Sequence, residues 1–153
     1  LNTSLNNLKD QLHLYKNFLV YLDNGNIIHT YNINKDKFVL VDFVIKNSSS
    51  AILFNNSLIS KNENFIEFYN IHNGNLFSRI NINKILNKKS KIINSLIINK
   101  NLHLFTDNGE IIILDKNFEI QKTVNLKIKN INKVYNYQNK IFISTEKGIT
   151  YIY

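Results

Sequence analysis

The most constraining feature of this chain is a short turn that keeps returning. Leu102-His103-Leu104-Phe105-Thr106 is an apolar run, Asp107-Asn108-Gly109 breaks it, and Glu110-Ile111-Ile112-Ile113-Leu114-Asp115 is a second run. Asn and Gly tolerate the positive φ that tight hairpins demand, so the segment predicts two antiparallel strands. Phe18–Gly25 lies over Leu102–Gly109 without a gap at an offset of 84 (109 − 25), and over Ile141–Gly148 at an offset of 123 (148 − 25). A further copy ends at Asn64, at an offset of 39 (64 − 25), with Asn in the glycine place. Successive steps are therefore 39, 45 and 39 residues. The long step contains Asn83–Lys91, a basic stretch without strand alternation, and an insertion confined to one connection is what a repeat array predicts.

Around these marks the chain divides into units of four strands. The first holds Gln11–Tyr15, Phe18–Leu22, Asn26–Ile33 and Phe38–Ile45, preceded by a lead-in or edge strand at Leu1–Leu8. The second holds Ala51–Phe54, Ser57–Ser60, Phe65–Ile71 and Leu76–Ile82. Asn83–Lys91 then reads as an extended connection with room for one helical turn. The third unit holds Ser95–Ile98, Leu102–Thr106, Glu110–Asp115 and Ile120–Leu126. The fourth holds Lys133–Tyr137, Ile141–Thr145 and Ile149–Tyr153, with no fourth strand. A lone four-stranded sheet leaves an apolar face in water, and stacking the units face to face covers it. The expectation is an all-β fold: a β-propeller portion of four blades at residues 8–46, 47–90, 91–130 and 131–153, the last incomplete. A β-sandwich or open meander is the alternative. The missing strand comes either from a region upstream of Leu1 or from Leu1–Leu8 closing a four-bladed ring; the first is preferred, because Leu1 is not a natural start.

Composition narrows the function classes. Hydrophobic residues make up 44% of the 153, a globular value, and Ile, Val, Tyr and Phe favour pleated surfaces. No apolar run reaches the roughly 18 residues of a membrane-spanning helix. With no Cys, disulfides, thiolate zinc sites and cysteine nucleophiles are excluded, and the compartment stays open. The net charge is +8, but Arg79 is the sole Arg and the lysines are scattered. Nucleic-acid binding is not favoured, since base and phosphate forks are built with Arg.

Thr106-Asp107-Asn108-Gly109-Glu110-Ile111-Ile112-Ile113-Leu114-Asp115 resembles the first half of a PQQ-like repeat, and Tyr69-Asn70-Ile71-His72-Asn73-Gly74-Asn75-Leu76-Phe77 resembles the second. The repeat-closing Trp of that family is absent, with Ser78 near its place, and the Gly-His and Trp-Asp marks of WD40 repeats are absent too. The quinone-dependent dehydrogenases of the PQQ-like family hold cofactor and calcium in acidic, Trp-lined sites. This chain has no Trp and no clustered carboxylates, so it is similar to the non-catalytic, BamB-type propeller lipoproteins of outer-membrane protein assembly. That resemblance implies a scaffold without cofactor or metal. It would meet a membrane-embedded protein partner through its loops, at the periplasmic face of the outer membrane. A fragment of a quinone-dependent dehydrogenase and a WD40-like adaptor are the alternatives.

The residues themselves show no catalytic spacing. His13, His29, His72 and His103 are scattered and read as packed or surface histidines. Asp23, Asp107 and Glu146 hold equivalent turn places and are expected on one rim, as amide caps before cation ligands. The candidate partner-facing loops are Asp23 and Asn24; Lys84, Lys88, Lys89 and Lys91; Asp107 and Asn108; and Glu146 and Lys147.

Overall fold

The computed structural model describes residues 12–45, 48–62, 64–86, 90–138 and 140–152. Gln11, Leu1–Leu8, Lys88, Lys89 and Tyr153, all named above, lie outside these residues. The described chain is nearly all β and forms four small antiparallel sheets. The first sheet is β1 (His13–Tyr15), β2 (Phe18–Leu22), β3 (Ile27–Asn32) and β4 (Lys37–Val44). The second is β5 (Ser50–Phe54), β6 (Ser57–Lys61), β7 (Phe65–Asn70) and β8 (Leu76–Asn81), followed by the helical turn α1 (Ile82–Ile85). The third is β9 (Ile92–Ile98), β10 (Asn101–Thr106), β11 (Glu110–Leu114) and β12 (Ile120–Asn125). The fourth has three strands, β13 (Ile131–Tyr137), β14 (Lys140–Thr145) and β15 (Gly148–Ile152). In every sheet the strands lie in sequence order, so each is a meander and each is a blade.

The first hairpin of each blade is built alike. Tyr15 pairs Phe18, Phe54 pairs Ser57, Ile98 pairs Asn101 and Tyr137 pairs Lys140, with two-residue loops at 16–17, 55–56 and 99–100. Asn55 and Asn56 both take positive φ (48° and 60°), as do Asn99 and Lys100 (48° and 63°). Two successive left-handed residues give the twist that matches flanking strands, and Asn tolerates that conformation best after Gly. By this mark the repeat steps are 39, 44 and 39 residues (55 − 16, 99 − 55, 138 − 99).

The second turns, which align without a gap in sequence, differ in structure. Leu22 pairs Ile28 in the first blade, Phe105 pairs Ile111 in the third and Thr145 pairs Gly148 in the fourth. Gly25 does not take the positive φ that Gly109 takes; Asn26 does (61°), because the closing pair Leu22–Ile28 lies one residue further along the aligned sequence than Phe105–Ile111, so the left-handed place, fourth in each five-residue loop, moves one residue on. Two strand starts also need correction. β9 begins at Ile92, not Ser95, and β13 at Ile131, not Lys133. Both extra segments pass a break in register, between Phe105 and Thr106 and between Ile131 and Lys133, where strict alternation fails.

Residues 1–85 and 86–153 form two compact units. In the first, Val20, Leu22 and Ile28 of blade one meet Ala51, Leu53 and Leu58 of blade two, with Ile45 and Ile71 completing the core. In the second, Phe105 and Ile111 of blade three meet Ile131, Val134 and Ile143 of blade four. A fully buried Leu, Ile or Val contributes about 2 kcal/mol, so face-to-face burial is what holds successive meanders together. Asn94 Nδ2 donates to the Val134 carbonyl across the second junction.

Candidate functional site

The second turn of each of blades one to three is a tie point for the chain that leaves that blade. Ile45 N donates to the Asn26 carbonyl (3.3 Å), Ile82 N to Asn64 (2.8 Å) and Ile131 N to Asp107 (2.9 Å). At Gly109 the approach is closest: a Cβ there would lie 2.1 Å from the Ile128 carbonyl oxygen, and φ is +87°. The Gly109 carbonyl also accepts from Leu126 N (2.9 Å). The repeated glycine of the third blade therefore serves a crossing of backbone over backbone.

The three equivalent turn carboxylates do three different things. Asp23 Oδ1 accepts from Gly25 N (2.8 Å) and Ile27 N (2.9 Å), and its Oδ2 lies 2.9 Å from His29 Nε2. His29 stacks on Tyr21 with ring centroids 4.5 Å apart and meets the edge of Phe38. Partial burial pushes the Asp23 carboxyl up, but the bonds from His29, Ile27 and Gly25 outweigh it and hold the group below its ordinary value. Asp107 does not cap its own turn. Its Oδ1 accepts from Lys91 N (2.9 Å) and Ser90 Oγ (3.2 Å), fastening the lead-in of β9, while Thr106 Oγ1 caps the turn by accepting from Glu110 N (2.8 Å). Glu146 is exposed and accepts from Asn130 Nδ2 at 3.5 Å. The amide-cap expectation thus holds for Asp23 and is corrected for Asp107 and Glu146; at Asp107 the neighbouring Thr already fills the turn.

Of the other candidates, Asn24, Lys84, Lys91 and Lys147 are exposed, and Lys84 stands in α1. Asn108 is half-buried, its Oδ1 accepting from Thr106 Oγ1 (2.6 Å). Lys91 and Asp107 are brought together through backbone, since Asp107 N also donates to the Lys91 carbonyl (3.0 Å). Among the described residues, no group of three His, Asp or Glu side chains is placed to hold a metal ion.

A surface that the loop-centred reading missed lies on blade four. Val134 and Ile143 face the core, so the opposite face carries Lys133, Tyr135 and Tyr137 of β13, Phe142 of β14 and Ile149 of β15. Tyr135 and Phe142, directly opposite each other, stack at 5.4 Å and 7°. Tyr137 is 62% and Ile149 66% exposed. β15 pairs only with β14 among the described residues, where blades one to three place a fourth strand. The alternation Lys133-Val134-Tyr135-Asn136-Tyr137 was the sequence signal for this face.

Blade two carries a second polar cluster. Glu67 is buried, with Oε1 2.6 Å from Arg79 Nη2 and Oε2 accepting from Tyr69 Oη (2.8 Å). Arg79 lies over the Phe65 ring (4.8 Å) and Tyr69 packs edge-on to Phe43 (5.3 Å). Every member is engaged by its neighbours, so the cluster is a brace within the sheet.

No protein-family model matches the chain, and no curated protein matches it by sequence. Solved structures do. BamB from Moraxella catarrhalis matches with a TM-score of 0.69 at 12% identity, over 92% of this chain and 41% of that one. BBS1N in complex with ARL6DN matches with a TM-score of 0.64 at 14% identity, over 88% and 45%. The fold is that of a β-propeller. Dihydro-heme d1 dehydrogenase NirN in complex with DHE matches with a TM-score of 0.74 at 10% identity, over 95% and 34%. The chain thus spans less than half the length of each of these proteins. At such identities the likeness speaks for the fold alone, and the three proteins differ in what they do. No helix among the described residues is long and apolar enough to cross a membrane.

Proposed function

We propose that this chain is part of a non-catalytic propeller scaffold that holds a protein partner. The observation that carries the reading is the outward face of blade four, where Tyr137 and Ile149 stand exposed beside the stacked Tyr135–Phe142 pair. An exposed face of aromatic and apolar side chains within a polar surface is the kind of patch that protein partners cover. BBS1N, a propeller of similar fold, is in complex with ARL6DN. The resemblance to BamB-type propellers makes a membrane-embedded assembly protein the first partner to try, at the periplasmic face of the outer membrane. The test is cross-linking capture of the full-length protein from native membranes, with quinone-dependent oxidation assayed alongside. A stoichiometric protein partner is the expected result. Capture of none, together with quinone-dependent turnover, overturns the reading in favour of the dehydrogenase alternative.

A further inference from the structure

We propose that Asn24 is a self-modification site, where the Gly25 amide attacks the Asn24 side chain and converts it to aspartate and isoaspartate. Asn-Gly pairs stand at Asn24-Gly25, Asn73-Gly74 and Asn108-Gly109. The chemistry open to each is the same. The glycine nitrogen bonds to Asn Cγ, and the proton it loses joins the departing side-chain nitrogen, which leaves as ammonia. Water then opens the five-membered succinimide at either carbonyl, giving Asp or isoAsp. Glycine leaves the attacking nitrogen unshielded, because it has no Cβ. Asp23-Asn24-Gly25 and Asp107-Asn108-Gly109 are the same tripeptide, so the fold decides between them.

The side chain is the first difference. Asn24 is exposed and its side chain makes no hydrogen bond among the described residues, so it is free to turn toward its own main chain. Asn73 Oδ1 accepts from Asn75 N (3.0 Å), and Asn108 Oδ1 accepts from Thr106 Oγ1 (2.6 Å). The destination of the proton is the second difference. Gly25 N donates to Asp23 Oδ1 (2.8 Å), a carboxylate ionised at neutral pH, since the group titrates below its ordinary value. A base already resting on the hydrogen that must leave is a placed general base. Asp107 is turned away to Lys91 N and Ser90 Oγ. Gly74 N and Gly109 N donate instead to the carbonyls of Asn70 (2.8 Å) and Thr106 (3.1 Å), which do not take up a proton. Room is the third difference. Gly109 lies under the Ile128 carbonyl and Gly74 against the Phe43 ring, whereas a Cβ on Gly25 would meet only side-chain atoms of Asp23 and Ile27. The product bears on the fold: isoaspartate adds a methylene to the main chain two residues before Asn26, whose carbonyl holds Ile45 N and with it the exit from blade one.

The experiment is timed incubation of the 153-residue chain at neutral pH, folded and in urea, followed by tryptic peptide mass spectrometry and isoaspartyl methyltransferase labelling. Cleavage after Lys and Arg places the three pairs on separate peptides, 17–35, 62–79 and 101–116. In the folded chain Asn24 is expected to convert at least about tenfold faster than Asn73 or Asn108, and in urea the three rates should converge. Asp23→Asn keeps an oxygen for the Gly25 N–H but removes the base, and should slow Asn24 about tenfold. His29→Gln keeps the base and removes its ring partner, and should leave the rate unchanged; circular dichroism checks that both variants fold. Conversion of Asn73 or Asn108 first, or equal rates at all three in the folded chain, overturns the site. A lead for Asn24 that persists in urea traces it to flanking sequence and overturns the part assigned to the fold. An unchanged rate in Asp23→Asn, or equal slowing in His29→Gln, overturns Asp23 as the proton acceptor.

Discussion

Two glycines at equivalent sequence places carry different burdens. Gly109 combines φ +87° with a carbonyl where its Cβ would be, whereas Gly148 has φ +129° and open space around it. Gly109→Ala is therefore expected to cost about 3 kcal/mol or more, and Gly148→Ala about 1 kcal/mol, the backbone strain alone. Urea unfolding of the two variants measures the difference. Equal losses would mean that the Ile128 crossing yields. Thr30 presents the opposite case. Its Oγ1 is buried with no hydrogen-bond partner among the described residues, on the face of β3 that also holds Ile28. Thr30→Val keeps the β-branched shape and removes the stranded hydroxyl, so it should stabilise the fold by about 1 kcal/mol. A fall in stability would indicate that a water serves the hydroxyl.

At the scale of elements, the brace on blade two ties β7 to β8 and has a titration of its own. Burial, then the hydrogen bond to Glu67, then its charge push the Tyr69 phenol up, with Arg79 pulling part of the way back. The unfolded phenol titrates near ~10. A group whose folded value is raised gives stability that is whole below that pH and is lost as pH rises toward the folded value. Tyr69→Phe should therefore make the fall of melting temperature above about pH 10 shallower, and thermal scans between about pH 8 and 11 read this directly. An unchanged slope would show that the phenol is not held neutral by the fold. The brace was not legible beforehand: Glu67, Tyr69 and Arg79 meet only through the β7–β8 register, with Glu67 opposite Arg79. The strands were legible, because segments such as Ile111–Leu114 and Leu102–Phe105 carry their burial in their composition. Their starts at Ile92 and Ile131 were not, because bulges there interrupt alternation. The turn carboxylates were legible as a set but not in role, since Asp107 is diverted by a segment sixteen or seventeen residues away in the chain.

At the scale of the whole molecule, the +8 charge sets a measurable tension. Like charges oppose compaction, and salt screens them over about 10 Å at 0.1 M. The melting temperature should rise by about 2–5 °C between low and ~0.3 M sodium chloride. A fall would place favourable ion pairs such as Arg79–Glu67 above the general repulsion. The outward face of blade four was open to sequence reasoning only in part: the Tyr135–Tyr137 alternation was visible, but which side meets the core depended on Val134 and Ile143 finding Phe105. Finally, the meander order of every sheet bears on how the protein is made. Within each sheet the described strands pair with the next in sequence, so blades one to three need nothing from distant parts of the chain to close their four-stranded ladders. Such local pairing keeps loop-closure entropy small and folding fast. Blades one and three can each zip up once their own stretch of about forty residues clears the ribosome, offering an apolar face to blades two and four as those emerge.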